Sequence, residues 1–426
     1  MSRLLQALIS RRGFLGLTLA VLSGVKVDTS SASAIPTLKV ISATSSRIVI
    51  AVTSSAQIQG YVEYGTSSSA LSKQSKKITV SKSAQIVLQN LTPNTTYYFR
   101  LKYVLTTSKV YKTTKVLSAI TSASATSSVF AVQADPHMDE NSDEKVYLGT
   151  LSQIKKSAPA FLMDLGDIFM VDKLADKSEA NIRARFVLMK NYYKTLGDVP
   201  LKICLGNHDG ELGYSKFNTK SYRQEYFPEQ TGDLAYFSLT GPDQLHVVLD
   251  PFTYTTQNPK ADGWQWTLGK TQYDWMVKTL SQSNALHKFV YIHHLLVGDA
   301  QSRGGVEIAH LNEWGGKNID GTYGFDTYRA GWGKPVHQVL VDNKVSYVFK
   351  GHDHLYVKQE LDGIIYQTIA QPSHPGNKVD PGQYGYNSGK AVGGSGFLKV
   401  STTGRESKVE FILFDGTLGD SYVKQV

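Results

Sequence analysis

The sequence predicts an α/β domain that follows a smaller all-β domain. Short alternating apolar runs occupy residues 35–125, and strand-like runs alternate with helical spacing from residue 126 onward. The length of 426 residues is enough for two or three domains. Hydrophobic residues make up 41% and charged residues 19%, with a mean hydropathy of −0.22, so the composition is that of an ordinary globular protein.

The first segment, residues 1–34, resembles an export signal. The motif SRRGFL at 10–15 leads into an apolar stretch at 13–25, which is too short to span a bilayer of roughly 30 Å as a helix. Small residues end the segment at 32–34. Because the paired arginines are similar to those of twin-arginine signals, we expect export by the twin-arginine machinery to the periplasm or beyond. If the segment is not cleaved, it would tether the protein to a membrane.

Residues 35–125 are predicted to form an antiparallel β-sandwich. Period-two alternation occurs at 47–52 and 60–64, and turn signals follow at 65–68 and 91–94. The run LTPNTTYYFR at 91–100, with VEYG upstream of it, resembles a fibronectin type III domain. Two interpretations remain open for this domain: a non-catalytic packing module, or a surface for carbohydrate or a partner protein.

Residues 126–426 are predicted to form the α/β domain. The expected strands lie at 129–132, 158–165, 201–205, 245–249, 288–292 and 345–349, and the expected helices at 144–156, 183–196 and 272–282. Strands that alternate with helices predict a layered α/β architecture.

Polar clusters follow five of these strands, at the point where each strand ends. They are Asp135-Pro136-His137, Gly166-Asp167, GNHD at 206–209, His293-His294 and GHDH at 351–354. Because ligands in α/β sheets bind outside the carboxyl ends of the strands, we expect the five loops to converge on one crevice.

The chemistry of these clusters predicts a metal site. The chain has one cysteine, Cys204, which excludes a site built from several thiolates. Carboxylate, amide and imidazole donors suit divalent Mn, Fe or Zn. Seven candidate ligands are too many for one ion, so we predict two ions that share a bridging carboxylate and act on phosphorus.

In this order, D-x-H, G-D, G-N-H-D, H and G-H-x-H resemble the motifs of the calcineurin-like metallophosphoesterase superfamily. With the preceding sandwich, the layout is similar to that of the purple acid phosphatases. The resemblance implies a four-layer α/β/β/α sandwich and two divalent or mixed-valence ions of Fe, Mn or Zn. It also implies hydrolysis of phosphate esters by attack of a metal-activated hydroxide on phosphorus. Whether monoesters or diesters are cleaved stays open.

Two alternatives accompany this expectation. One is a phosphodiesterase specific for nucleotides or glycerophosphodiesters. The other is an exported binding or adhesion protein with a degenerate phosphoesterase domain.

The resemblance also implies individual roles. It assigns Asp135, His137 and His354 to the first ion, Asn207, His293 and His352 to the second ion, and Asp167 to both as the bridge. His208 would stabilise the transition state or protonate the leaving group, and Asp209 would orient His208. Which of His293 and its neighbour His294 ligates stays open. Because adjacent strand residues point to opposite faces, we expect His294 beside the metal or at the rim, as a candidate substrate contact, rather than on the metal.

The sequence departs from the purple acid phosphatases at two positions. Met170 stands where they carry a tyrosine that ligates ferric iron, and His137 stands where they lack a histidine. The Asp-x-His form instead resembles the phosphodiesterase and general phosphoesterase branches of the superfamily. We therefore expect a colourless enzyme.

A long Gly- and aromatic-rich segment, 298–333, is expected to contact substrate. Its Arg303 and Arg329 are candidates to clamp a phosphoryl oxygen, and its Trp314 is a candidate to stack on a base or sugar. Further along the chain, His374 is a candidate to reach the crevice.

The formal net charge of +9 raises the question of nucleic-acid binding. The first 34 residues hold four basic residues and one acidic residue, which leaves +6 for the rest, and no basic run is longer than two residues. A nucleic-acid-binding surface would show a basic stripe with interleaved aromatic residues. We therefore expect no specific nucleic-acid binding, and we interpret the excess as favouring anionic phosphate esters.

Overall fold

The computed structural model describes residues 35–121, 127–209, 222–227, 235–255, 262–297, 303–376 and 380–426. The predicted export signal at 1–34 lies outside these residues. Among the described residues, no helix is long and apolar enough to cross a membrane.

The described N-terminal residues form two antiparallel sheets that face each other. The strands are β1 (Thr37–Ala43), β2 (Ile48–Thr53), β3 (Ile58–Gly65), β4 (Lys73–Gln74), β5 (Ile78–Val80), β6 (Ser83–Leu88), β7 (Thr96–Leu105), β8 (Lys112–Thr113) and β9 (Leu117–Ile120). One sheet has the order β1-β2-β6, and the other has the order β4-β3-β7-β8, with β5 paired to β3 and β9 paired to β7.

The alternation in the sequence decides which side chains fill this sandwich. On β2, Ile48, Ile50 and Val52 are fully buried, and on β7 Phe99 and Leu101 are fully buried. Successive side chains of a strand point to opposite faces, so every second apolar residue meets the facing sheet. The predicted antiparallel β-sandwich is therefore present, and its fibronectin type III character stays a prediction.

The second domain contains thirteen strands and seven α-helices among its described residues. The strands are β10 (Ser128–Gln133), β11 (Leu162–Asp164), β12 (Leu201–Ile203), β13 (Phe237–Gly241), β14 (Gln244–Val248), β15 (His287–Ile292), β16 (Tyr347–Lys350), β17 (Tyr356–Leu361), β18 (Ile364–Thr368), β19 (Lys390–Val392), β20 (Gly396–Thr403), β21 (Glu406–Leu413) and β22 (Leu418–Gln425). The helices are α1 (Glu144–Lys156), α2 (Glu179–Lys194), α3 (Tyr222–Tyr226), α4 (Lys270–Gln282), α5 (Asn312–Gly315), α6 (Phe325–Tyr328) and α7 (Val336–Asp342).

These strands form two mixed sheets that pack face to face, with helices on their outer faces. The first sheet has the order β12-β11-β10-β20-β21-β22 and the second has the order β13-β14-β15-β16-β18-β17-β19. Fully buried aromatic residues of both sheets meet between them, including Phe130, Phe289 and Phe349. Helices α1 and α2 pack beside the first sheet. The Lys288 ammonium on β15 donates to carbonyls at the ends of α4 and α7, which places those helices on the second sheet. The four-layer expectation is confirmed.

Helix α1 shows how the sequence determines where a helix begins and ends. Asp143 precedes it, and its side chain accepts hydrogen bonds from the backbone N–H groups of Lys145 and Val146, which caps the amino terminus. Glu144 in the first turn and lysines in the last turn complement the helix dipole. The helix occupies residues 144–156 as predicted. By contrast, the strand expected at 158–165 shortens to Leu162–Asp164, since Ala158 adopts a left-handed φ of 47°.

The described residues include two hydrogen bonds that cross from one domain to the other. The Arg47 guanidinium donates to the carbonyl of Asn284 at 2.7 Å, and the Ser45 hydroxyl donates to the Asp243 carboxylate at 3.1 Å. Both donors lie in or beside the turn between β1 and β2, so this end of the sandwich faces the loops that flank β14 and β15.

Candidate metal centre

The five polar loops all leave the carboxyl ends of parallel strands. In the first sheet β10, β11 and β12 run parallel, and in the second sheet β15 and β16 run parallel. Glycines let the loops approach closely. A Cβ at Gly206 would lie 2.2 Å from a carboxylate oxygen of Asp167, and one at Gly351 would lie 2.5 Å from a carboxylate oxygen of Asp135. Any other residue at these two positions would push the carboxylates away.

The backbone of the candidate ligands is held in an uncommon conformation. Five of the seven have a positive φ: Asp135 at 57°, His137 at 51°, Asp167 at 53°, His352 at 71° and His354 at 59°. Non-glycine residues rarely adopt this region, and such strain collects at functional sites, where the surrounding structure holds it in place. The loops are therefore shaped for the positions of these side chains rather than for the backbone's own preference.

The candidate ligands form two groups of three. Asp135, His137 and His354 form one, and Asp167, His293 and His352 form the other, with the ligand atoms of each group within 4.8 Å of one another. The first group is the set that the resemblance implied for one ion, and the second joins His293 and His352 of the other set to Asp167, the implied bridge.

Asp167 lies between the two groups. Its Oδ2 is 3.8 Å from His137 Nε2 on one side and 3.3 Å from His293 Nε2 on the other. The side-chain oxygen of Asn207 is 3.1 Å from the same nitrogen of His293. The structure thus brings all seven predicted ligands together, with Asp167 where a bridging carboxylate must lie.

The pKa shifts within the cluster show that its buried carboxylates favour positive charge beside them. Burial raises the pKa of Asp135 to about 6. Burial alone would lower the pKa of His137, but a hydrogen bond to Asp139 and the charge of Asp167 raise it to about 10. Similarly, burial opposes protonation of His293, but the charge of Asp167 raises its pKa to about 9. The buried carboxylates therefore favour positive charge on the groups beside them.

The donor atoms fit metal ions in that place. His137 Nε2 is buried and has no hydrogen-bond partner among the described residues. Burial lowers the pKa of His354 to about 3 and that of His352 well below its usual value, so both rings are neutral, which is the form that binds metals. Two carboxylates, an amide oxygen and four imidazoles form a nitrogen and oxygen donor set suited to divalent Mn, Fe or Zn.

His208 lies at the open side of the cluster. Its Nε2 is 4.0 Å from Asp167 Oδ2, and 21% of its side chain is exposed, whereas the His293 side chain is fully buried. Its Nδ1 is 2.6 Å from a carboxylate oxygen of Asp172. Asp172 therefore orients the imidazole, as a carboxylate partner of a catalytic histidine does.

The expectation that Asp209 orients His208 is wrong. The Asp209 carboxylate is buried and accepts four backbone hydrogen bonds, from Gly206, Asp167, Ile168 and Phe169, at 2.6 to 3.1 Å. Its acceptor sites are directed at the loops that follow β11 and β12, so it joins those two loops. The residue that sequence reasoning missed is Asp172. It lies five positions after Asp167, in a 3₁₀ turn that the apolar pattern did not reveal.

Two of the expected substrate contacts are also wrong. Trp314 is fully buried, and its ring N–H donates to the Tyr366 hydroxyl at 2.9 Å. Arg329 is buried against the Glu313 carboxylate and donates to the carbonyl of Trp264. Trp314 holds the long segment onto β18 of the second sheet, and Arg329 joins the segment to the carbonyls of Trp264 and Trp266. Their residue types suggested substrate contact, but the segment folds inward and turns them into the domain.

Arg303 lies at the rim of the cluster. Its guanidinium donates to the His352 carbonyl at 3.2 Å and to the Asp353 carboxylate at 3.3 Å. Its charge contributes to the lowered pKa of His354, after burial and the charge of His137. A quarter of the side chain is exposed, so Arg303 remains a candidate for binding a phosphoryl oxygen.

His294 and His374 lie outside the two groups. His294 is fully buried, its ring Nδ1 is 2.8 Å from the carbonyl of Leu295, and its ring centroid is 5.2 Å from that of His352. It packs behind the ligands, which removes it as a substrate contact. His374 Nδ1 accepts from the backbone of Gly376, and the preceding Ser373 donates to the carbonyl of Pro136. His374 therefore stands beside the loop that carries Asp135, and its contact with substrate stays a prediction.

Comparisons with known proteins show which family and which solved structures this chain resembles. The family model for calcineurin-like phosphoesterases matches residues 128–356. Curated protein sequences give no match. Similar solved structures include a purple acid phosphatase from yellow lupin (Lupinus luteus) seeds, with 14% identity and a TM-score of 0.46. That match covers 92% of this chain and 74% of the lupin protein.

Two further solved structures each match 70% of this chain. One is GAP50, described as the anchor in the inner membrane complex of Plasmodium, with 14% identity and a TM-score of 0.47 over 70% of this chain and 89% of that one. The other is a dimetal phosphatase from Danio rerio, with 11% identity and a TM-score of 0.44 over 70% of this chain and 98% of that one. Because the family model matches more than half of the sequence and spans all five motif loops, this chain belongs to the calcineurin-like phosphoesterase family.

Proposed function

We propose that this protein is an exported dinuclear-metal phosphoesterase that hydrolyses small-molecule phosphate esters outside the cytoplasm. The observation that carries the proposal is the pair of three-donor groups with Asp167 between them. Ions bound there would supply Lewis acidity toward the phosphoryl oxygens and a water of lowered pKa as the nucleophile.

The chain's own residues account for the remaining requirements of the reaction. His208 stands at the open side with its Nδ1 on Asp172, so a proton held on Nε2 can be given to the departing alkoxide. Arg303 supplies a fixed positive charge at the rim, where a phosphoryl oxygen of the substrate is oriented. The residues that line the site are shielded from bulk solvent, because Asp135, Asp167 and His293 are almost fully buried.

A second candidate is a phosphodiesterase, for example one specific for nucleotides or glycerophosphodiesters. The observation that favours it is His137, which joins Asp135 and His354 in the first group and gives the Asp-x-His form seen in diesterase branches. Turnover of a chromogenic phosphomonoester and of the matching diester by the same purified protein decides between the candidates.

Metal analysis of the purified protein is the companion measurement. We expect about two equivalents of a divalent or mixed-valence metal and ester hydrolysis that a chelator abolishes. Metal-free protein that is folded and inactive toward both esters, even after reloading with Mn, Fe or Zn, would favour a binding or adhesion protein. Because Met170 replaces the tyrosine ligand, we expect no strong visible charge-transfer band in the loaded enzyme.

The proposal of export is supported by residues 1–34, which precede the first strand. The paired arginines at 11 and 12, the apolar stretch and the small residues at 32–34 support recognition by the twin-arginine machinery. Fractionation of cells that produce the full chain should recover it outside the cytoplasm. The Arg11→Lys/Arg12→Lys variant should remain inside, whereas equal distribution of the two proteins would count against this route.

A further inference from the structure

The positive charge of this protein is concentrated in the β-sandwich. Residues 35–121 contain eleven lysines and arginines and a single acidic residue, Glu63, whereas residues 122–426 contain 30 basic and 34 acidic residues. The sandwich therefore has a net charge of +10 and the phosphoesterase domain a net charge of −4. The excess therefore lies on the domain that does not hold the candidate metal centre.

The only acidic side chain of the sandwich is already neutralised. Glu63 is buried, and its carboxylate lies 2.9 Å from the Arg100 guanidinium and 3.4 Å from the Lys102 ammonium. The other basic residues of this domain thus have no carboxylate partner within their own domain. Their field is directed at solvent and at whatever the sandwich meets.

Arg100 and Lys102 belong to the outer face of the larger sheet. On β7, Tyr97, Phe99 and Leu101 fill the core, so the alternate residues Tyr98, Arg100 and Lys102 point outward. Residues opposite each other in antiparallel strands share a face. The pairings therefore add Tyr61 from β3 and Ile120 from β9 to this outer face. Tyr111 joins them, because its ring centroid lies 6.5 Å from that of Tyr61.

Exposed apolar side chains lie among the basic ones at one edge of this face. The exposed fraction is 69% for Val110, 62% for Ile120 and 45% for Tyr111. Val110 and Tyr111 lie in sequence beside the lysines at positions 109, 112 and 115, all three of which are exposed. Ile120 pairs with Thr96, at the other end of β7. We call the segment 109–120, with the outer face of β7, the basic edge.

We propose that the basic edge docks the protein onto an anionic lipid bilayer. Basic residues near such a surface are attracted by the negative potential of its headgroups, and exposed aliphatic side chains beside them enter the boundary between headgroups and acyl chains. Tyrosine suits that boundary, since its ring is apolar and its hydroxyl stays hydrated. Charge complementarity selects an anionic bilayer, and the metal centre on the other domain stays open to soluble esters.

The aliphatic residues distinguish a bilayer from a nucleic acid. A single-stranded nucleic acid would stack its bases on the tyrosines of this face, but it would leave Val110 and Ile120 without an apolar partner. A bilayer, with an apolar layer beneath its charged surface, contacts the tyrosines and the aliphatic residues together.

Flotation of the full chain with lipid vesicles tests the proposal. We expect binding to vesicles of equal parts phosphatidylcholine and phosphatidylglycerol, little binding to phosphatidylcholine alone, and release at high salt. The Lys109→Gln/Lys112→Gln/Lys115→Gln variant should bind on the order of 100-fold more weakly, at about fivefold per lysine. Val110→Ser/Ile120→Ser, which keeps every charge, should also bind several-fold more weakly.

Two controls isolate the basic edge. The Lys145→Gln/Lys156→Gln/Lys278→Gln variant removes the same charge from helices of the phosphoesterase domain and should bind within about twofold of wild type, since those lysines lie outside the docking surface. Ester hydrolysis and the thermal melting midpoint should be unchanged in all three variants, which shows that they fold.

Three results would overturn the proposal. The first is equal loss of binding in the two lysine variants, because only net charge would then matter. The second is unchanged binding in every variant, which would locate the contact elsewhere in the chain, such as residues 1–34. The third is a Val110→Ser/Ile120→Ser variant that binds vesicles as well as wild type, with a single-stranded oligonucleotide competing for the site. That result would identify a polyanion site instead.

Discussion

The two domains use charge and backbone strain in opposite ways. In the phosphoesterase domain, left-handed aspartates and histidines hold carboxylates and imidazoles against one another in a buried cluster, although the domain as a whole is slightly acidic. In the sandwich the non-glycine residues with positive φ are Asn90 and Asn94, which accept this region readily in turns, and the charge is spread over the surface. The difference teaches that the metal centre depends on the exact positions of a few side chains. Association of the sandwich with a surface depends instead on how many basic residues the domain contains.

The largest expected effect is the loss of ester hydrolysis, without loss of vesicle binding, when the metal centre is altered. Asp167→Asn removes the carboxylate that lies between the two ligand groups, so hydrolysis of a chromogenic ester should fall on the order of 10³-fold, and metal content should fall with it, because metal charge stabilisation contributes several kcal/mol. The same variant should float with anionic vesicles as wild type does. Full hydrolytic activity in this variant would contradict the assigned centre.

The next effect concerns the stability of the phosphoesterase domain. Arg329→Met leaves the buried Glu313 carboxylate without its cation, so the free energy of unfolding should fall by about 3–5 kcal/mol in urea denaturation. The Arg329→Met/Glu313→Gln variant is the control and should recover much of that loss, since no buried charge remains. If Arg329 instead bound substrate, the single variant would keep its stability and show a raised KM.

A smaller effect tests the open side of the cluster. His208→Ala should lower kcat by roughly 10²-fold, and more for an alkyl ester than for a nitrophenyl ester, because a poor leaving group depends more on the donated proton. Asp172→Asn should show the same dependence on the leaving group with a smaller loss. As a control, Asp176→Asn alters an exposed carboxylate nearby and should leave both rates unchanged. A loss that is identical for both esters would argue against proton donation by His208.

The sequence predicted the metal centre more completely than its surroundings. The seven ligands could be placed because each follows an apolar run that ends in a polar loop, and strand order alone brings such loops to one edge. Asp172 and Asp209 could not be told apart, because a carboxylate's partner depends on how two loops fold against each other. The predicted substrate contacts of Trp314 and Arg329 were wrong for a related reason: the composition of a long loop does not reveal which of its side chains face the core.

The smallest expected effect tests whether the domains are energetically independent. Arg47 donates to the carbonyl of Asn284 across the boundary, and a single hydrogen bond of this kind contributes about 1 kcal/mol. Arg47→Ala should therefore lower the melting midpoint only slightly and leave both ester hydrolysis and vesicle binding unchanged. Ser45→Ala, which removes a second interdomain hydrogen bond, serves as the matched comparison. A loss of several kcal/mol in either variant, or a fall in activity, would mean that the sandwich supports the metal centre and that the two regions do not act separately.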